Sequence, residues 1–285
     1  MANARTLIGE SRVSAVTLRD IEHILDGLRR EGLASWTVSG YRGVLSMIFK
    51  RAVRHKLIAT SPLEGLEGAA PRNRKEIRVL TPDEVDRLLQ HAPAEYHDLL
   101  ACLAFSGIRI SECLGLTWGD VDTDTHRLNI EYQLSVPKIG QPAERVRLKT
   151  KGSRRKVPML GTLSVILAQR YEAAKHSGIF PASTAYVFST ASGKPLCRTN
   201  ATQRGMAQAA RDAGIKGVSC HSLRHTFAST ALQSGVDVST VSRWLGHSGV
   251  MTTLGTYSHW ISADLDDLAA ARASAAFLPV ARGGV

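Results

Sequence analysis

At 285 residues, with 44% hydrophobic and 21% charged side chains, the chain is too long for one small module and too apolar for wholesale disorder. Lys and Arg number 36 against 25 Asp and Glu, a net charge of +11 that favours a polyanionic partner, nucleic acid first and an anionic membrane surface second. No run of about 18 apolar residues could span a bilayer, the N-terminus lacks a signal-peptide pattern, and Cys102, Cys113, Cys197 and Cys220 form no C-x-x-C pair, so reduced core thiols and a cytosolic (nucleoid-associated) protein are expected.

The opening dozen residues show no period. From Thr17, TLRDIEHILDGLRREGL places Leu18, Ile21, Ile24, Leu25 and Leu28 on one helical face, with Thr17 and Asp20 at capping-box spacing and Gly32 as the stop. The next helix, SWTVSGYRGVLSMIFKRAVRHKLI, turns Val38, Tyr41, Leu45, Ile48 and Phe49 inward and places Arg42, Lys50, Arg51, Arg54, His55 and Lys56 on the other side. That charge fits a solvated face as well as a nucleic-acid contact, for which Arg42 and Arg51 are the candidates. SPLEGLEGAAPRNRKEIR, rich in Gly, Pro and basic residues, reads as a linker, and a boundary near Ala70 to Ile77 divides the chain into domains 1–75 and 76–285. The first holds 13 basic and 7 acidic residues and the second 23 and 18, so the smaller piece is the more basic per residue.

Beyond the linker, Thr81, Pro82 and Glu84 form a complete helix start. Helix follows over about Tyr96 to Phe105, then a turn at Ser106-Gly107 and a short helix through Leu116. A meander turns at Asp122 to Thr125 and, in AERVRLKTKGSRRKVPM, at Gly152-Ser153. Helices resume at about Leu163 to Lys175, Asn200 to Ala213, Leu223 to Ser234, Val238 to Leu245 and Met251 to Ser258. The expected fold class is mainly α with one small antiparallel β-sheet, α+β.

Within the second hairpin Arg145, Arg147, Lys149, Lys151, Arg154, Arg155 and Lys156 have no acid among them. Like charges so placed repel unless an anion sits beside them, and alternation aims Arg145, Arg147, Lys149 and Lys151 to one side, suited to a phosphodiester backbone. His221 and Arg224 lie three apart at a helix start, where anions are favoured, and could grip one phosphate. A zinc chelate of His221 and His225 is the rival, but HSLRH lacks the Glu of H-E-x-x-H and no third ligand is evident. Arg109 follows a glycine turn with Glu112 three residues on, His247 follows a helix ending in Gly246, and Tyr257 comes ten residues later.

Arg109 in SGIRISECLGL, Lys149 in LKTKGSRRKVPM, His221 and Arg224 in HSLRH, His247 in WLGH and Tyr257 in TLGTYSH together resemble, in order and spacing, the active-site signature of the tyrosine recombinases, the phage-integrase family. The resemblance covers about residues 17 to 260. It implies a two-domain clamp in which 1–75 is a shortened helical core-binding domain and 76–285 the catalytic domain, with no room for a further arm-binding domain. It also implies that Tyr257 attacks a DNA phosphodiester to give a 3′-phosphotyrosyl link and a free 5′-hydroxyl, which then joins a partner duplex through a Holliday junction.

On this resemblance Arg109 and Arg224 clamp the non-bridging oxygens, His221 receives the phenol proton, His247 bonds the phosphate, Glu112 orients a neighbour, and Lys149 protonates the leaving oxygen, with Lys151 as the alternative lysine. Lysine suits that last task because an ammonium can release a proton where a guanidinium effectively cannot. Arg42, Arg51, Arg145, Arg147, Lys151, Arg154 and Arg155 are the expected DNA contacts. No metal, ATP or other cofactor is expected. The implied partners are double-stranded attachment-site DNA, three further copies in a homo-tetramer, and accessory DNA-bending proteins. The tail ADLDDLAAARASAAFLPV fits a helix docking either on a neighbour or on its own domain. The other readings are a DNA-binding module without catalysis and a type IB topoisomerase.

Overall fold

The structure, a computed structural model, describes residues 9–64, 77–137, 141–176 and 182–258. Most of the expected linker (65–76) and the C-terminal docking helix lie outside the described residues. By compactness the chain divides into two units, Met1–Lys75 and Glu76–Val285.

In the first unit a 3₁₀ turn (Val13–Ala15) leads to α1 (Leu18–Arg30). Thr17 Oγ1 accepts from the Asp20 N–H at 3.3 Å and the Asp20 carboxylate accepts from the Thr17 N–H at 2.8 Å, the capping box expected from their spacing. Gly32 (φ 77°) reverses the chain into α2 (Ser35–Arg54). Ile21, Ile24, Leu25 and Leu28 bury their stripe against Val38, Leu45 and Phe49, each buried side chain contributing about 1.5–3 kcal/mol. Ile48, expected in that stripe, is instead 49% exposed. It lies one helical step of about 100° before Phe49, off the line that Leu45, Phe49 and Ala52 define.

The second unit opens with α3 (Pro82–Gln90), where Thr81 and Glu84 close a second capping box and Pro82 occupies the first turn. The following α4 (Ala94–Ser106) has Leu99, Leu100, Ala101, Cys102 and Leu103 all at 0% exposure, the signature of a helix surrounded by protein. It ends on Gly107, left-handed at φ 63°, after which Arg109 starts α5 (Ile110–Leu114). An added Cβ on Gly107 would lie 2.3 Å from Phe227 Cδ1, so backbone sign and space both require glycine there.

Two small antiparallel sheets replace the single sheet expected. Strands β1 (Val121–Asp122), β2 (Arg127–Ile130) and β5 (Arg155–Pro158) form one in the order β1-β2-β5, and β3 (Tyr132–Leu134) pairs with β4 (Arg145–Arg147) in the other. The basic segment is therefore not a hairpin. A 3₁₀ turn at Lys151–Ser153 separates β4 from β5, and β5 pairs with β2 so that Val157 and Leu128, opposite one another, are both fully buried.

Next come α6 (Leu163–His176), α7 (Arg198–Asn200), a π-helical stretch (Ala201–Met206) and α8 (Ala207–Asp212). The π stretch, expected as plain α-helix, holds Gly205 flat on the Tyr96 ring, where a Cβ would lie 2.8 Å from Cγ. Helix α9 (Cys220–Gln233) begins three residues before the expected Leu223, because Ser219 and Ser222 cap it (Ser219 N–H to Ser222 Oγ, 3.1 Å). It packs against α4 and against α10 (Val238–Leu245), and α11 (Val250–Tyr257) follows. A small separate core of Phe227, Ala228, Ala231, Leu232, Val241, Leu245 and Tyr257 joins these last three helices. The cysteines are free; Cys102, Cys113 and Cys220 are buried as expected, whereas Cys197 is exposed.

Candidate active site

Glu112 is the anchor of the site. Its carboxylate, at 0% exposure, accepts from the Arg109 N–H at 2.8 Å, from Arg109 Nη1 at 2.9 Å, and from Arg155 Nη1 and Nη2 at 3.1 and 2.8 Å. Burial pushes its pKa up, but the Arg155 guanidinium, then the Arg109 amide and guanidinium, outweigh this and hold it below the usual carboxylate range. Arg155, from β5, also donates through Nε to the Trp244 carbonyl at the end of α10. Gly246 turns left-handed there (φ 65°), and a Cβ on it would lie 2.9 Å from Arg155 Nη1.

Arg224 makes the second tie. At 2% exposure it donates from Nη1 to the Gly107 carbonyl (2.7 Å) and from Nη2 to the Leu245 carbonyl (2.6 Å), joining α9 to the turn before Arg109 and to the helix end before His247. Burial and the Arg109 charge bring its pKa down to about 9, so it stays cationic at neutral pH. A guanidinium has five N–H donors, and the two carbonyls take one each, leaving donors for an anion.

Around these arginines stand the histidines. His221 is exposed on the first turn of α9, its pKa lowered by desolvation, then by Arg224 and Arg109. His247, half-buried, has Nδ1 2.7 Å from Thr253 Oγ1, and burial followed by the charges of Arg224, Arg109 and Arg155 lowers its pKa to about 4. His221 and His247 thus both lie within reach of the charges of Arg109 and Arg224. Tyr257 closes the group from α11. The residue is 1% exposed, its hydroxyl lies 2.7 Å from His225 Nδ1, and burial, opposed by Arg224, raises its pKa to about 12.

Five of the six expected catalytic residues are thus linked to one another, and no such link is seen for the sixth. Lys149 is exposed just past β4 and forms no hydrogen bond or ion pair with the other five among the described residues. The side chain of Lys151 lies outside the described part of the chain.

Two of the expected DNA contacts have partners within the protein. Arg155 is only 5% exposed at its side chain and is engaged with Glu112, and Arg145 is held by Asp120 (2.8 Å), by the Gly115 carbonyl (2.9 Å) and by the Tyr132 ring (3.7 Å). Alternation along one strand cannot foresee such long-range partners. Arg147 pairs at the surface with Glu131 (3.0 Å), Arg154 is half-buried before β5, and Arg42 and Arg51 lie on α2, half-buried and exposed respectively.

The residue that sequence reasoning passed over is His225. Its spacing of four from His221 suggests a zinc chelate, and the ring instead meets the phenol. Among the described residues no group of three His, Cys, Asp or Glu is placed to hold a metal.

Because His225 and His247 titrate near 4 in the folded chain and about 6.5 when unfolded, the unfolded state alone takes up protons between those values. Stability therefore falls as pH drops from about 6.5 towards 4, by up to roughly 3 kcal/mol per histidine, and the loss levels off once the folded forms protonate. Urea midpoints measured from pH 7.5 to 4.5 check this, and a flat profile contradicts it.

The site thus gathers a phenol, guanidiniums and histidines on the ends of neighbouring helices. The chain belongs to the phage integrase family, the tyrosine recombinases, whose model matches residues 78–262. A tyrosine recombinase XerC-like protein of Caldanaerobacter subterraneus subsp. tengcongensis is 27% identical, the match covering 88% of this chain and 69% of that one. Tyrosine recombinase XerC of Xylella fastidiosa is 30% identical over 88% of this chain and 79% of its own length. Among solved structures, the Tn1549 transposon integrase in complex with a circular intermediate DNA superposes with a TM-score of 0.78 at 21% identity, covering 95% of this chain and 91% of that one. The fold is thus that of the integrases, and no helix among the described residues is long and apolar enough to cross a membrane.

Proposed function

We propose that this site-specific DNA recombinase cuts and rejoins duplex DNA through Tyr257, which holds the cut strand as a 3′-phosphotyrosine until a 5′-hydroxyl of a partner duplex attacks it. The P–O bond to the 5′-oxygen is exchanged for one to the phenol oxygen, so the bond energy is retained and no nucleotide triphosphate enters the balance. Negative charge grows on the non-bridging oxygens in the transition state. Arg109 and Arg224 answer it with fixed, charge-assisted donors, and His221 and His247 add single bonds. Lys149, carried on the loop after β4, protonates the leaving 5′-oxygen once DNA draws that loop in.

The observation that supports this most is the buried Arg224, fixed between the Gly107 and Leu245 carbonyls in one cluster with Arg109, His247 and the phenol. A cation held that far from water without a carboxylate of its own is poised for an anionic substrate. On the same reading residues 1–75 form the core-binding domain, Arg42, Arg51, Arg147 and Arg154 meet the DNA backbone, four copies assemble on two duplexes, and the protein works in the cytoplasm on the nucleoid.

A suicide DNA substrate, nicked so that the released fragment diffuses away, tests the assignment. Tyr257 is expected in the DNA-linked peptide, and strand exchange between paired attachment sites follows. An adduct mapped to another residue refutes the assignment, and relaxation of supercoiled plasmid without exchange points to a topoisomerase instead.

A further inference from the structure

The phenol of Tyr257 must lose a proton as it attacks phosphorus, and the group at hand in the folded chain is not the one its sequence suggests. His225 Nδ1 lies 2.7 Å from the Tyr257 hydroxyl, with the rings 5.6 Å apart and tilted by 56°. His221, one turn earlier on the same face of α9, instead meets the His225 ring edge-on, at 4.6 Å between centroids and 83° between planes. His225 thus touches both of the other rings. Tyr257 is inside at 1% exposure, His225 is half-buried in the middle, and His221 is at the surface beside Arg224 and Arg109, where an anion would sit.

We infer that His225 is the proton acceptor for Tyr257, while His221 serves the phosphate. This rests on the reading of Tyr257 as nucleophile. In the step, the phenol oxygen bonds to phosphorus, its proton passes to His225 Nδ1, the P–O5′ bond breaks, and the 5′-oxygen takes its proton from Lys149. Rejoining reverses each transfer, and His225 returns the proton to the phenol oxygen.

The groups facing His225 explain why it is quiet without DNA. Its own helix brings His221 and Arg224 against it and α11 brings the phenol; burial, then His221 and Arg224, lowers its pKa to about 4, far under that of the phenol. At rest, neutral His225 is a hydrogen-bond acceptor with almost no tendency to take the proton. A phosphate docked beside His221 and Arg224 offsets the part of this depression that their charge adds to burial, and to that extent strengthens the base where the nucleophile waits. DNA binding and nucleophile activation are thereby coupled through one imidazole.

The test compares single-turnover adduct formation on the suicide substrate by the full chain and by the His225→Asn and His225→Ala variants. Asparagine places an acceptor oxygen near the position of Nδ1, keeping a bond to the phenol, but cannot carry a proton. Both variants are expected to lose about 10²–10⁴-fold in rate, the range for general-base catalysis, with DNA affinity within about twofold of the parent. A fluorinated tyrosine of lower phenol pKa at position 257 is then expected to restore at least tenfold to His225→Asn. A native rate in His225→Asn overturns the inference, as does a rate that the fluorinated residue leaves unmoved, since either marks a structural hydrogen bond. Failure of the underlying reading looks different: the parent's adduct would map to a residue other than Tyr257.

Discussion

Exchanging Glu112 for glutamine is expected to destabilise the protein by about 3–5 kcal/mol, the range for removing one partner of a buried ion pair. The carboxylate is fully buried and answers Arg155, whose side chain is 5% exposed, so the amide leaves a guanidinium charge stranded in the interior. The urea midpoint of Glu112→Gln against the parent at pH 7 measures this. The double exchange Glu112→Met with Arg155→Met removes both charges and is expected to recover most of the lost stability without recovering DNA cleavage, because Arg109 loses its anchor. An unchanged midpoint in the single variant would mean that the cluster is better hydrated than its geometry implies. The pH dependence has the same sense as that of His225 and His247: a carboxyl with a depressed pKa contributes fully above its unfolded value of about 4.5 and loses that contribution as pH falls below it.

The second large effect is kinetic. Arg224→Lys is expected to lower the rate of adduct formation by about 10²–10³-fold, the cost of removing one transition-state donor, while DNA affinity changes little. A lysine ammonium cannot donate to the Gly107 and Leu245 carbonyls and still present a planar pair of N–H groups to a phosphate. Single-turnover cleavage on the nicked substrate reads the effect. A rate within threefold of the parent would move Arg224 from the reacting phosphate to a purely structural place.

What the sequence disclosed and what it concealed divide along the range of the forces involved. The starts of α1 and α3 were legible because a capping box is closed within four residues, by Thr17 with Asp20 and Thr81 with Glu84. The set Arg109, His221, Arg224, His247 and Tyr257 was legible as a spaced pattern, and folding brings those five together. The strand partners were not legible: β4 and β5 are neighbours in sequence, yet each pairs with an earlier strand, since burying Val157 on Leu128 outweighs the tighter turn. For the same reason Arg145 and Arg155 read as DNA contacts, when Asp120 and Glu112, 25 and 43 residues away, claim them. The π-helical stretch depends on Gly205 meeting Tyr96, a contact that no local pattern announces. Which histidine meets the phenol depends on where α11 lands, and periodicity within α9 carries no information on that.

The wiring of Arg155 and Arg224 has a mechanical corollary. Each reaches across the fold to a carbonyl near the close of α10, one at Trp244 and the other at Leu245, so two guanidiniums from separate elements moor the same helix end. A displacement of that end therefore disturbs both arginines at once.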